Sequence, residues 1–188
     1  MYPTREWPKV LSTARMKGLS NNSRSFLFRL VHNLHPTKSR LHRLNPRAVP
    51  SPFCSFCLDG EEKEEEDNIS HIYSSCSHSF EAMNWLKAVL EKFDPYISAE
   101  KIVTLQIDPE NNDCIFECIF LTAETLEYIW DKRLTNKQIE VERLKSTIRA
   151  KINLLKRSKF KNHGTNLLTM MDIIDLPPAG VLPDAPLA

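Results

Sequence analysis

No run of about 18 or more apolar residues occurs in the 188-residue sequence, so a membrane-spanning helix is not expected. A secretory leader is not expected either, because Arg5 and Lys9 are followed by no apolar stretch. The five cysteines are an odd number, which speaks against an extracellular disulfide framework and for a reducing compartment, nucleus or cytoplasm. Also missing is any recognisable grouping of nucleophile, base and oxyanion donors, so an enzyme ranks last among the expected classes. No internal repeat is visible. The length suits either one domain with a real core or a small domain joined to an extended helical or disordered part, and the second is expected.

What the sequence has in quantity is charge, sorted by segment. The formal net charge of +1 averages over blocks of opposite sign. Residues 1–53 hold ten Lys/Arg against one acid, Glu6, and residues 130–163 hold eleven against three, Asp131, Glu140 and Glu142. Between them, residues 54–129 hold four lysines against seventeen acids. Basic blocks of this density can track a phosphate backbone. They can equally be solvated faces, or pair with the chain's own acidic middle.

Apolar spacing predicts a mainly α chain. Phe26, Leu27, Leu30, Val31 and Leu34 share one arc of a helix between Ser20 and Leu34, with Asn21, Asn22 or Ser23 as its cap. Pro36 bounds it, and a short basic stretch, Thr37 to Leu44, follows before Pro46, Pro50 and Pro52. The run from Asp59 to Asp67 reads as a solvated loop. Ser77 or Ser79 then caps a helix on which Ala82, Met83, Trp85, Leu86, Val89, Leu90 and Phe93 share a face, ended by Pro95. Residues 102–107 read as a strand, an extended linker or a short helix.

A third helix is expected from near Asp113, with Ile115, Cys118, Ile119, Thr122, Leu126, Ile129 and Trp130 in one stripe. Its partner is expected over residues 136–161, where Val141, Leu144, Ile148, Ile152 and Leu155 make a coiled-coil-type seam on an otherwise basic helix. The divisions that follow are residues 1–95, a basic helical segment with a metal-binding unit; 96–112, a linker; 113–163, a helical pair; and 164–188, a Pro-rich tail expected to be disordered. Within the tail, Leu167 to Leu176 could still form a short docking helix.

The metal-binding unit is read from ligand spacing. Cys54-Ser-Phe-Cys57 places two thiolates on one side of a tight turn, and His71-Ile-Tyr-Ser-Ser-Cys76 supplies a His-x4-Cys half suited to a turn entering a helix. Cys54, Cys57, His71 and Cys76 are therefore the expected ligands of one structural Zn2+. His78 competes with His71 for the histidine position. Cys114 and Cys118, four apart on a predicted helix, are expected to be packing residues.

The order of these features resembles a known family. Ser25-Phe-Leu-Phe-Arg-Leu-Val-His-Asn-Leu-His-Pro-Thr-Lys-Ser-Arg-Leu-His-Arg-Leu44, then Cys54-x2-Cys57, His71, Cys76 and a helix with Trp85, resembles the zinc-binding carboxyl-terminal region of reverse transcriptases of non-LTR (LINE-type) retrotransposons. The similarity covers about residues 20–93; residues 126–133 and the basic helix after them match more loosely. It implies a CCHC zinc site and nucleic-acid contacts. No Tyr-x-Asp-Asp or Phe-Ala-Asp-Asp polymerase signature is present, nor an endonuclease or RNase H constellation, so the resemblance implies the non-catalytic end of such a protein.

The expected function is thus a zinc-stapled RNA- or DNA-binding module. Its candidate phosphate contacts are Arg24, Arg29, Lys38, Arg40, Arg43 and Arg47 before the metal site, and Lys145, Arg149, Lys156, Arg157 and Lys159 on the last helix, with Lys151 and Lys161 around them. Phe53, Phe56 and Tyr73 are the candidates for stacking on bases. The alternatives are a protein-interaction or self-association module acting through helix 136–161, and a transposon remnant without selected activity.

Overall fold

The computed structural model describes residues 16–57, 65–108 and 112–175. Arg5 and Lys9, most of the acidic loop and residues 176–188 lie outside them. The fold is mainly α. Among the described residues there are eight α-helices: α1 (Asn21–Val31), α2 (Lys38–Leu44), α3 (Ile69–Ser74), α4 (Phe80–Leu90), α5 (Ala99–Val103), α6 (Ile115–Leu134), α7 (Val141–Lys156) and α8 (Lys161–Asp175).

Capping defines most of the starts. Ser20, Thr37, Asn68 and Ser98 each accept a backbone N–H three residues on, at the heads of α1, α2, α3 and α5. The cap of α1 is therefore Ser20, one residue before the expected group, because Ser23 is buried and its hydroxyl donates to Glu124 and Glu127 on α6. Ser79 heads α4 without a side-chain cap; its hydroxyl is turned back to the carbonyls of Ile72 and Cys76. Asn33 and Asn136 adopt left-handed φ of 53° and 51° just past α1 and α6, where asparagine is among the few side chains that tolerate it.

Helix α6 is the axis of the fold, and α1, α4, α7 and α8 all pack on it. The stripe expected along α6 is really a sleeve: Phe116 to Leu126 are buried without a break, including Glu117 and Glu124. A helix enclosed by several neighbours has no outer face to leave polar. Its two buried acids are partnered across the core. Glu117 meets His163 Nδ1 at 2.9 Å and Asn166 Nδ2 at 3.0 Å, while Glu124 pairs with Lys151.

The seam on α7 does not face solvent. Leu144, Ile148 and Ile152 are buried against α4, α6 and α8, with Val141 and Leu155 packed at the edge of the same core. The surface expected to serve a partner helix is thus used within the chain. Helix α8 replaces the expected disorder over residues 164–175 and bears out the alternative of a docking helix from Leu167: Leu167, Met170 and Met171 are buried, and Gly164 sits at the crossing with α7. A Cβ on Gly164 would lie 2.9 Å from the Lys156 backbone nitrogen. Only glycine lets the two helices approach this closely.

Residues 102–107 are not a strand. The short-helix alternative holds for its start, since Ile102 and Val103 close α5, and Leu105, at φ 54°, reverses the chain so that Ile102, Leu105 and Ile107 all enter the core. The apolar cluster runs from Leu19 to Met171 and takes in these residues and Ile97 from the stretch expected as a linker. Cys118 is fully buried in that core, and Cys114 packs at its edge.

His35, from the turn between α1 and α2, is fully buried between Phe26 and Trp130, with ring centroids 4.6 and 4.5 Å away. Burial pushes its pKa down to about 4, against the opposing effect of the Phe26 carbonyl bonded to Nε2. The unfolded chain takes up this proton near pH 6.5 and the folded chain only near 4. Stability therefore falls as pH drops through that window, by up to about 1.4 kcal/mol per pH unit, and levels off below it. We expect a His35→Gln variant to lose about one proton's worth of that slope in denaturant unfolding from pH 7 to 4. Equal slopes for the two proteins would refute the assignment.

Candidate metal centre

The site is assembled from two short segments. Phe53 and Glu66 form an antiparallel bridge, flanked by hydrogen bonds from Cys54 N–H to the Glu65 carbonyl and from Asp67 N–H to the Pro52 carbonyl, each 2.9 Å. This ladder delivers Cys54 and, one tight turn later, Cys57, whose N–H reaches the Cys54 carbonyl at 3.4 Å. The other half is α3. His71 lies in its last turns, and Cys76 follows the helix, with the N–H groups of Ser75 and Cys76 both donating to the His71 carbonyl at 3.1 and 2.9 Å. Cys76 lies past the end of α3, and the turn closed on the His71 carbonyl, rather than helical periodicity, brings its thiol back to the imidazole.

The four side chains converge. One ligand atom from each of Cys54, Cys57, His71 and Cys76 lies within 4.8 Å of every other. Cys76 Sγ is 3.8 Å from both Cys54 Sγ and Cys57 Sγ, and Cys57 Sγ is 3.5 Å from His71 Nε2. Such a cluster can hold a metal ion. The second ring nitrogen of His71 is 3.0 Å from Ser75 Oγ, a contact that fixes which nitrogen faces the sulfurs. His78 is turned away: its Nε2 meets the Lys137 carbonyl at 2.9 Å, and its ring lies 3.9 Å from that of Phe56.

A buried arginine completes the site. Arg133, in the last turn of α6, brings Nη1 to 3.1 Å from Cys76 Sγ and Nη2 to 3.4 Å from Cys54 Sγ. Its guanidinium also pairs with Asp67 and lies 4.8 Å from the ring centroid of Phe56. Both charged side chains are under a tenth exposed, 7% for Arg133 and 8% for Asp67. Asp67 in turn accepts from Lys38 N–H at the head of α2, at 2.9 Å. The last acid of the supposedly solvated loop is therefore an internal tie between α2, α6 and the metal ligands.

Between the two innermost thiols, a shared hydrogen bond holds Cys54 down to about 3, with Arg133 adding to the effect, and pushes Cys76 up. Arg133 gave no local sign of this role. It lies 57 residues from Cys76 and 79 from Cys54, in a segment that reads as an ordinary basic helix end.

The candidate nucleic-acid contacts divide in two. Arg24 donates to the Leu19 carbonyl, Arg40 to the Asn33 carbonyl and Arg43, through Nε, to the Ser39 carbonyl. On α7, Lys145 pairs with Glu142 at 2.7 Å, Lys151 with Glu124, and Arg149 with Asp172 at 3.6 Å. Arg29, Lys38, Arg47, Lys156, Arg157 and Lys159 form no ion pair among the described residues. Of the stacking candidates, Tyr73 is fully buried with its hydroxyl donating to the Leu126 carbonyl, and Phe56 lies between Arg133 and His78. Neither presents a free ring; Phe53 is half-buried.

Among the described residues no helix is long and apolar enough to cross a membrane. Comparison with protein families, with curated proteins and with solved structures finds no match to the chain.

Proposed function

We propose that Cys54, Cys57, His71 and Cys76 hold one structural zinc ion, in a non-catalytic nucleic-acid-binding module related to the carboxyl-terminal region of LINE-type reverse transcriptases. Three thiolates and an imidazole are a donor set that suits zinc. Metal–sulfur bonds of about 2.3 Å and metal–nitrogen bonds of about 2.0 Å at tetrahedral angles give edges of about 3.8 Å between sulfurs and about 3.5 Å from sulfur to nitrogen. Three of the six separations, 3.8, 3.8 and 3.5 Å, lie at those values and the other three are within 4.8 Å; this convergence of four donors carries the reading. Four protein donors leave no position for an activated water, which argues for a structural role.

The nucleic-acid part rests on basic side chains of α1, α2 and the turn after α2, ahead of the centre in sequence. Arg29, Arg43 and Arg47 are each exposed, and the head of α2 is tied to the site through Asp67. Arg43 also lines an open cavity of about 620 Å3 with Asn33, Ser39, His42, Glu66 and Asn68. The family origin is supported by the ordered helix, Pro-Thr turn and Cys/His ligands alone.

Two measurements test the proposal. Elemental analysis of the purified protein should find about one zinc per chain. Labelled single-stranded RNA and duplex DNA, titrated over a range of salt, should show which is bound; for the triple variant Arg29→Gln, Arg43→Gln, Arg47→Gln the slope of log affinity against log salt should flatten by about 0.7–0.9 per lost phosphate contact. No binding of either at low salt ends the nucleic-acid reading, and protein without zinc ends the metal reading.

A further inference from the structure

We infer that Cys57 is the sulfur at which this centre reacts with peroxides and other soft electrophiles, and that Cys76 is the thiolate that resolves the product. The inference rests on the metal reading above.

The three cysteines are unequal. Cys54 and Cys76 are each 1% exposed and each takes an N–H from Arg133. Cys57 is half-buried and, among the described residues, receives nothing from the guanidinium and meets the Ser77 hydroxyl at 3.5 Å on its exposed side. As ligands all three sulfurs are thiolates, so a neighbouring cation cannot raise the thiolate fraction further. What Arg133 can still do is withdraw electron density, and nucleophilicity falls with it. Burial and hydrogen bonding thus both protect Cys54 and Cys76, and both leave Cys57 open.

The reaction follows from the distances. The Cys57 thiolate attacks one peroxide oxygen, the O–O bond breaks, hydroxide leaves and Cys57 becomes a sulfenic acid. The Cys76 thiolate, 3.8 Å away, then attacks the Cys57 sulfur and displaces a second hydroxide. The sulfur pair has lost two electrons and the peroxide has gained two. A Cys57–Cys76 disulfide withdraws two of the four donors, so the site no longer holds its metal.

The test uses the full chain carrying Cys114→Ser, which removes the other half-exposed thiol outside the centre. Zinc content is measured first. Limiting N-ethylmaleimide is then added and peptides are mapped by mass; in a second arm, hydrogen peroxide is added with a chelating dye to follow zinc release. We expect Cys57 to be alkylated about tenfold faster than Cys54 or Cys76, the ratio that one charge-assisted hydrogen bond of about 1.5 kcal/mol implies. In the peroxide arm we expect a Cys57–Cys76 disulfide to form in step with zinc release. Zinc-loaded protein that is labelled first or equally at Cys54 or Cys76, or that first forms a disulfide containing Cys54, overturns this inference alone. A chain that purifies without zinc overturns the metal reading and this inference with it.

Discussion

Exchange of Cys76 for serine is expected to abolish binding of the proposed zinc and cost the chain more than about 4 kcal/mol, the range reserved for lost metals and broken buried networks. Cys76 Sγ touches both other sulfurs, and the residue fixes the exit of α3. The α3 half is seated in the core by Ile69, Ile72 and Tyr73, but the Cys54–Cys57 half has little else to hold it. The bridge from Phe53 to Glu66 is isolated, and the turn at Cys57 rests on one long hydrogen bond. A structural zinc site binds with an apparent free energy of about 10–16 kcal/mol, comparable to or larger than the whole stability of a domain. Thermal unfolding of Cys76→Ser should therefore shift down by more than about 10 °C, and a strong chelator added to the natural protein should do the same. Helical circular dichroism should survive in part, because α4, α6, α7 and α8 pack through their own apolar core. A variant that keeps both its zinc and its melting temperature would refute the structural role.

The parts of this fold that are local in sequence are legible there. The buried face of α4 and the buried arc of α1 follow from spacing, since one contact surface dictates one stripe; Leu34, expected in that arc, lies past the helix end and is exposed. The Cys/His cluster is readable for the same reason: Cys54 with Cys57, and His71 with Cys76, are each no more than five residues apart. What depends on distant partners is not readable. The sleeve around α6 requires knowing that four helices will surround it, and the inward seam on α7 looks like any free coiled-coil face until α8 covers it. Helix α8 is legible only in part, as a short docking helix from Leu167; its first turn is obscured by Gly164, a breaker by propensity that is needed here for close packing. The same blindness applies to charge. A run of acids is expected in water, yet its last member is buried because an arginine 66 residues away meets it.

That arginine carries the second large effect. Arg133→Met should lower zinc affinity by about 10- to 100-fold, the usual consequence of removing a group that orients metal ligands. It should also cost about 3–5 kcal/mol, because Asp67 would keep a buried charge without its partner. Combining it with Asp67→Asn removes that orphaned charge, so the double variant should be less destabilised than the two single losses added together. Zinc affinity need not recover with it, since the N–H groups facing Cys54 and Cys76 remain absent. Denaturant unfolding at saturating zinc reads the first quantity, and competition with a metallochromic chelator reads the second. Arg133→Lys separates charge from shape: a point charge can still meet Asp67, but it cannot place two donors on two sulfurs while doing so. We expect this variant to regain stability before it regains affinity. If Arg133→Met leaves zinc affinity within about twofold of the natural chain, the guanidinium is only a packing tie between α6 and Asp67 and has no part in holding the metal ligands.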